Sequence, residues 1–155
     1  MPVELKHTTH AVGQSAYHFV WKPKYNVKVF LHPWPRKVAE EAIMQVAIKW
    51  KIQIRELKVM PDHVHCFAEI PLTMSVSFAL QILKGGSARI IFQKCTRWRA
   101  FFAEGHKVVH LWSPGKFFRS VGAVSAEIVE AYIKHSQGEW NFGFAEEEQR
   151  RINLN

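Results

Sequence analysis

The sequence contains few of the features that mark a membrane, secreted or redox-active protein. No apolar run approaches the roughly 18–20 residues that a membrane helix needs, and the amino terminus holds no hydrophobic segment typical of a signal peptide. Only two cysteines occur, Cys66 and Cys95, and no C-x-x-C spacing indicates a zinc or redox site. We therefore expect a cytoplasmic protein with reduced, buried thiols.

Linkers, internal repeats and low-complexity tracts are also absent. A chain of 155 residues with 48% apolar residues can bury roughly two-thirds of its unfolded surface in one core. We expect a single domain over residues 1–155, in which residues 138–155 form a C-terminal tail.

Acidic residues are scarce relative to basic ones. Thirteen Asp plus Glu, of which only Asp62 is an aspartate, stand against 21 Lys plus Arg, giving a net charge of +8 and a pI of about 9.7. This excess indicates an anionic partner, and aromatic residues interleaved with the basic ones suit phosphate contacts plus base stacking. A soluble protein with solvated Lys and Arg would have the same composition, so charge alone leaves both interpretations open.

The first half of the chain reads as strand, strand, helix, strand, strand. Residues 15–21 alternate as a strand, and K-P-K-Y-N turns them into a second strand, V-K-V-F-L at 27–31, which predicts a hairpin. Apolar residues at helical spacing predict a helix over 35–51. I-Q-I-R-E-L-K-V-M and H-V-H-C-F-A-E-I then predict two antiparallel strands joined by M-P-D.

The second half adds two helices around one short strand. Ser75 can cap a helix over 76–94, which Gly85 and Gly86 would bend or split. Residues 96–114 are expected to be mostly loop, and K-F-F-R-S-V after them is expected to form a strand. Ser125 is the predicted cap of a last helix, which ends at Gly138. This order predicts an α+β fold with a single antiparallel sheet and helices packed on it, close to the split βαβ plan of RRM-like modules.

Two histidines lie one residue apart at the start of an apolar run, in V-M-P-D-H-V-H. Residues two apart on a strand share a face, so His63 and His65 can offer ring nitrogens to one ion. Two imidazoles make half a metal site, and two ordinary strand histidines would give the same pattern. Asp62 is better placed to cap the turn or hold a histidine than to bind metal.

Several motifs in order along the chain resemble those of one family. M-P-D-H-V-H, Y-H-F-V-W-K-P-K-Y, L-K-G-G-S-A-R, L-W-S-P-G-K-F-F-R-S-V-G and V-E-A-Y-I-K-H are similar to segments of the single-tyrosine HUH transposases, the TnpA family of small bacterial and archaeal insertion sequences. The resemblance spans about residues 10–137. It implies an HUH endonuclease fold and a nucleoid-associated DNA transposase that cleaves and rejoins single-stranded DNA through a covalent 5′-phosphotyrosine.

The resemblance also implies the site. Tyr132 would be the nucleophile, and His63 and His65 would bind Mg²⁺ or Mn²⁺ together with a glutamine from the same helix. In the family this glutamine lies four residues after the tyrosine. Here that position is Ser136 and the glutamine is Gln137, so Ser136, His135 or water could replace Gln137 as the third ligand.

The resemblance also implies how the protein binds DNA and how it assembles. The resemblance implies a single strand folded into a hairpin, and a homodimer in which each tyrosine helix completes the other subunit's site. Trp98 and Trp112 could stack bases or cover the core. The basic residues best placed to contact the DNA backbone are Lys22, Lys24, Lys84, Arg89, Lys116 and Arg119.

Rival functions fit the sequence less well. Histidine-triad hydrolases need a third alternating histidine where this chain has Phe67, and phosphoesterases with two H-x-T motifs need a second such motif. A non-catalytic module that binds single-stranded nucleic acid on an RRM-like sheet remains as the alternative. Metal-dependent cleavage would separate it from a transposase.

Overall fold

The computed structural model describes residue 3 and residues 5–104, 109–122 and 133–134. Six strands and three helices occur in these ranges, with one 3₁₀ turn at Lys24–Asn26. The elements are β1 (Lys6–His7), β2 (Val12–Gly13), β3 (Ala16–Trp21), α1 (Pro33–Lys49), β4 (Gln53–Met60), β5 (His63–Glu69), α2 (Val76–Lys94), α3 (Thr96–Ala103) and β6 (Phe117–Ser120).

Four strands form one antiparallel sheet in the order β4-β5-β3-β6, and β1 pairs with β2 in a separate two-stranded ribbon. The chain passes from β3 through α1 to the outer strand β4, then turns at Pro61 and Asp62 into β5. Through α2 and α3 it reaches β6, on the other side of β3. This is the predicted α+β fold of split βαβ type.

One face of the sheet is covered by α1 and α2. Phe19 and Trp21 of β3 and Val64, Cys66 and Ala68 of β5 belong to the same buried apolar cluster as the inner residues of both helices. The Cys66 thiol is free and buried in the core, as predicted, and burial raises its pKa to about 12. None of the helices in the described ranges has the length and apolar character to cross a membrane.

Helix α2 is continuous through its two glycines, contrary to the interruption that the sequence suggested. Ser75 caps it as predicted, because the Ser75 hydroxyl accepts a hydrogen bond from the Phe78 backbone N–H at 3.2 Å. A Cβ built on Gly86 would lie 2.8 Å from a methyl carbon of Val46 in α1, whereas Gly85 faces open space. Gly86 therefore allows the two helices to approach closely.

Two local predictions were wrong. Residues 27–31 form no strand, since β5 and β6 already occupy both edges of β3, and Phe30 is instead fully buried with its backbone N–H bonded to the Pro61 carbonyl at 3.1 Å. The span 96–114 was expected to be mostly loop but contains α3, which buries Phe102 against the core. Most of the predicted last helix lies outside the described residues, although Ile133 and Lys134 are helical.

Candidate active site

The second face of the sheet carries the histidine pair. His63 and His65 lie on β5, opposite Met60 and Lys58 of β4, and both are 1% exposed. Their ring centroids are 5.0 Å apart with the planes at 79°. The prediction that both histidines share one face is therefore confirmed, and β5 places them side by side on the face away from α1 and α2.

Each histidine is held through its Nδ1 atom. The Asp62 carboxylate lies 2.7 Å from Nδ1 of His63, which confirms that this aspartate holds a histidine. Nε2 of His18 on β3 lies 3.0 Å from Nδ1 of His65. Because Nδ1 is engaged in both rings, Nε2 is the nitrogen through which each would bind a metal.

Electrostatics keep these imidazoles neutral. Burial lowers the pKa of His65 to about 2, with help from His18, His63 and Lys58. Burial also lowers the pKa of His18 to about 4, with a smaller contribution from Arg119. The pKa of His63 is lowered by burial too, although the hydrogen bond and charge of Asp62 oppose the shift. A neutral imidazole keeps a lone pair, which metal binding requires.

The donor set fits half of a divalent metal site. Two neutral imidazoles with engaged Nδ1 atoms are typical of metal-binding histidines. Within the described part of the chain no group of three His, Cys, Asp or Glu side chains could hold an ion. Gln137, Ser136 and His135, the predicted alternatives, lie outside the described residues, as does Tyr132.

The chain on the carboxyl side of Tyr132 packs on this same face. Ile133 is fully buried in a small apolar cluster whose other members are Val3, Ala16, Phe67 and Val121. The Lys134 ammonium lies 3.7 Å from the Glu56 carboxylate on β4. The resemblance implied that the tyrosine helix completes the other subunit's site, whereas in this single chain Ile133 and Lys134 contact their own sheet.

The six basic residues predicted to contact DNA fall into two groups. Lys24, Lys84, Arg89 and Lys116 line one cavity of about 760 Å³ between α2 and residues 109–116. Lys22 and Arg119 lie nearer the histidines, since their charges lower the pKa of His63 and His18, respectively.

Within the cavity, Lys84 also has a structural role. Its ammonium donates to the backbone carbonyls of Ser113 at 2.7 Å and Gly115 at 3.3 Å. Burial lowers its pKa, as does the nearby Lys116. Lys84 thus fixes the loop that forms one wall of the cavity and keeps one of its three N–H donors for another acceptor.

The two tryptophans differ in how far the core encloses them. Trp112 is buried, donates its indole N–H to the Ser87 hydroxyl at 3.0 Å and packs edge-on against Trp21. Trp98 is half-buried against Phe30, with ring centroids 5.7 Å apart. Trp112 therefore covers the core and does not offer its ring for stacking on bases.

His18 is the site residue that sequence reasoning missed. It lies between Tyr17 and Phe19, and its alternation with them indicated the opposite face of the strand. What the sequence did not reveal was the pairing of β3 with β5, which brings His18 next to His65. A polar residue on the non-core face of a central strand was the only available signal.

Comparison with known proteins identifies the family of the chain. Residues 11–136 match the family described as "Transposase IS200 like". The chain is 30% identical over 139 residues to the transposase for insertion sequence element IS200 of Salmonella typhimurium, covering 89% of this chain and 87% of that protein. It is 26% identical over 137 residues to the ISDra2 transposase TnpA of Deinococcus radiodurans, covering 86% and 92%.

Two solved structures share the fold. A Deinococcus radiodurans protein solved as a candidate transposase has a TM-score of 0.65 at 21% identity, over 86% of this chain and 99% of its own. A REP-associated tyrosine transposase bound to a REP hairpin has a TM-score of 0.55 at 14% identity, over 83% and 69%. With the family match covering most of its length, the chain belongs to the IS200-like transposases.

Proposed function

We propose that this IS200-like transposase cuts and rejoins single-stranded DNA at the ends of its insertion sequence, with Tyr132 as the nucleophile. His63, His65 and Gln137 would hold Mg²⁺ or Mn²⁺. The observation that carries this proposal is the pair of buried histidines on one face of β5, each engaged at Nδ1. A sheet that only bound nucleic acid would have no need to bury two such imidazoles side by side.

The chemistry follows from the residue types. The Tyr132 phenol oxygen would attack the scissile phosphorus, forming a 5′-phosphotyrosine, while the bond to the 3′ oxygen breaks and that oxygen takes up a proton. Because the phosphoester bond is exchanged rather than hydrolysed, the free 3′-hydroxyl of another strand can reverse the step without ATP. A bound divalent cation would polarise and orient a non-bridging oxygen of the scissile phosphate.

The basic residues suggest how the DNA is held. Lys22 and Arg119 are near enough to the histidines to neutralise the phosphate at the cleavage point. Lys24, Arg89 and Lys116, with the remaining donor of Lys84, would contact the backbone of a hairpin beside it. Hairpin binding is supported by the related transposase solved with a REP hairpin.

A homodimer is part of the same proposal, with each tyrosine segment serving the partner's histidines. Ile133 and Lys134 contact their own sheet through Phe67 and Glu56. In a symmetric exchange, the partner's copies of these residues would make the same contacts. Gly122, which is exposed, precedes the segment, and a glycine there permits backbone conformations that other residues rarely adopt.

The nucleophile is tested by trapping the covalent adduct. Parent protein is incubated with Mg²⁺ and a single-stranded oligonucleotide that carries a hairpin from the element's flanks, labelled at its 3′ end. We expect a labelled protein band on a denaturing gel for the parent and for Tyr25→Phe, which alters an exposed tyrosine, but none for Tyr132→Phe.

An adduct on Tyr132→Phe would remove this residue from the mechanism. A parent that binds the hairpin strand but never cuts it would instead be a single-strand-binding module. Binding should be salt-sensitive, and fully paired duplex of the same sequence should compete poorly at one fixed salt concentration.

The proposed contacts with the DNA backbone are tested with variants that each remove one lysine charge. Lys24→Ala and Lys116→Ala should weaken hairpin binding and reduce its dependence on salt, because each removes a phosphate contact. Lys49→Ala, which removes an exposed charge at the end of α1, is the control. Equal affinities for all three variants would place the hairpin elsewhere.

The exchange of tyrosine segments is tested by mixing two inactive variants. Heterodimers of His63→Ala and Tyr132→Phe subunits contain one complete site if the tyrosine acts in trans, so cleavage should return. No activity in well-exchanged heterodimers would place the tyrosine helix on its own subunit's sheet.

A further inference from the structure

His18 and His65 meet end to end rather than face to face. The nearest ring nitrogens, Nε2 of His18 and Nδ1 of His65, are 3.0 Å apart, while the ring centroids are 5.3 Å apart with the planes only 17° from parallel. Two parallel faces in contact would bring the centroids much closer than this. The centroid distance is instead about the nitrogen separation plus the two ring radii, which is the geometry of an in-plane hydrogen bond.

The strands define this contact. His18 is paired with Phe67 across β3 and β5, and His65 is paired with Val20, so the two histidines are diagonal neighbours on one face. On its other side β3 pairs with β6, where the ring of Phe117 lies edge-on at 6.4 Å from His18. With 6% exposure, His18 has little freedom to turn away from His65.

An ion does not fit between these two nitrogens. A metal–nitrogen bond is about 2.0–2.1 Å long, so an ion on the line joining nitrogens 3.0 Å apart would lie too close to both. An ion beside that line would lie far from the direction of both ring lone pairs, because the in-plane, end-to-end rings direct them along the line. His18 therefore lies behind the His65 ring, on the side opposite Nε2. Its position relative to His65 corresponds to that of Asp62 relative to His63.

We infer that His18 is a positioning residue for the metal site: it accepts the Nδ1–H hydrogen bond of His65 and so directs Nε2 of that ring toward the ion. The inference rests on the proposed function, because the ion is part of it. For His18 to accept at Nε2, its own proton is on Nδ1. The two predicted metal ligands are thus oriented by different groups. The partly exposed carboxylate of Asp62 holds His63, and the buried imidazole of His18 holds His65.

The first experiment reads the tautomers directly in the metal-free protein. Long-range ¹H–¹⁵N correlation spectra of ¹⁵N-histidine-labelled protein should show the proton of His65 on Nδ1 and that of His18 also on Nδ1. A His65 ring with its proton on Nε2 would overturn the inference, because His18 would then be the donor. This measurement is independent of metal binding.

The second experiment measures Mn²⁺ affinity by electron paramagnetic resonance, without DNA. His18→Phe keeps a planar ring but removes the acceptor, and it should weaken Mn²⁺ binding by about 10–100-fold. His18→Gln can place an amide oxygen near the position of Nε2 and should recover most of the affinity. His32→Phe, which alters an exposed histidine before α1, is the control.

Equal affinity of His18→Phe and the parent would overturn the positioning role. If His18→Phe does not fold, the Mn²⁺ affinity of His18→Gln and the tautomer spectra still test the positioning role of His18. A parent whose Mn²⁺ binding does not depend on His63 would contradict the proposed metal site, whereas the tautomer spectra would still accept or reject the His18 hydrogen bond.

Discussion

The two faces of β5 are equally buried but are built on different principles. Val64, Cys66 and Ala68 face the helices and are surrounded by apolar side chains, whereas His63 and His65 face the opposite side and are oriented by hydrogen bonds at Nδ1. Every residue of the strand is buried, so burial alone does not separate core from site. The difference lies in whether a side chain contributes through non-directional apolar contacts or through directed hydrogen bonds.

This difference predicts opposite consequences of substitution. An apolar side chain removed from the helix-covered face leaves a cavity and lost contacts, so the cost is in stability. A histidine removed from the other face takes away hydrogen bonds together with a buried polar group that was itself costly to bury, so the net change in stability is smaller. The main cost of such a substitution is a lower rate of cleavage.

The largest expected effect is the loss of cleavage in His63→Ala. Removing one of two imidazole ligands forfeits several kcal/mol of transition-state stabilisation, so the rate should fall by about 1,000-fold or more. Hairpin affinity should be largely unchanged, and the free energy of unfolding should fall by less than about 2 kcal/mol. Single-turnover cleavage, filter binding and urea unfolding measure the three quantities. Cleavage at the parent rate would show that His63 binds no catalytic metal.

The opposite pattern is expected for Phe19→Ala on the helix-covered face. Phe19 is fully buried, so its loss should lower the free energy of unfolding by about 3–4 kcal/mol. The cleavage rate per folded molecule should stay close to that of the parent. Phe118→Ala, at the position paired with Phe19 but 44% exposed, is the control and should cost far less. Similar unfolding energies for the two variants would contradict the comparison of faces.

The histidine face should also make stability depend on pH. The folded pKa of His18 is lowered from 6.5 to about 4, so between these values the unfolded chain binds a proton that the folded chain does not. His18 therefore favours folding above about pH 6.5, and this contribution, roughly 3 kcal/mol, is lost as the pH falls to about 4. Urea unfolding of metal-free protein at pH 7.5 and 4.5 measures it.

His18→Phe supplies the control for this pH dependence. Other groups also titrate in the same range, so the prediction concerns the difference between parent and variant. The variant lacks the titrating ring and should lose less stability on acidification. An equal loss in both proteins would show that His18 titrates normally in the folded state.

The smallest expected effects concern two adjacent glycines in the helix layer. Gly86→Ala would press a methyl group against Val46 at 2.8 Å and should lower the free energy of unfolding by about 1–3 kcal/mol. Gly85→Ala meets nothing within 4 Å and should raise it by up to about 1 kcal/mol. Thermal and urea unfolding distinguish the two. A change of the same sign in both variants would mean that α1 and α2 are not in close contact at Gly86.

Local sequence signals predicted those features that depend on neighbours in the chain. Alternation placed His63 and His65 on one face because side chains on a strand alternate with a period of two. Ser75 was identified as a helix cap and Asp62 as a partner for a histidine, since both act within a few residues. Motif order along the chain was sufficient to recognise the family.

Only the tertiary structure decided the features that depend on which strands become neighbours. The sequence paired residues 15–21 with 27–31, but β5 and β6 take both edges of β3, and this pairing is what brings His18 to His65. The same holds for the four basic residues around one cavity, which come from α2 and from segments before and after it. Strand pairing and helix docking join residues far apart in sequence, and their free energy depends on the whole core, so no local pattern encodes them.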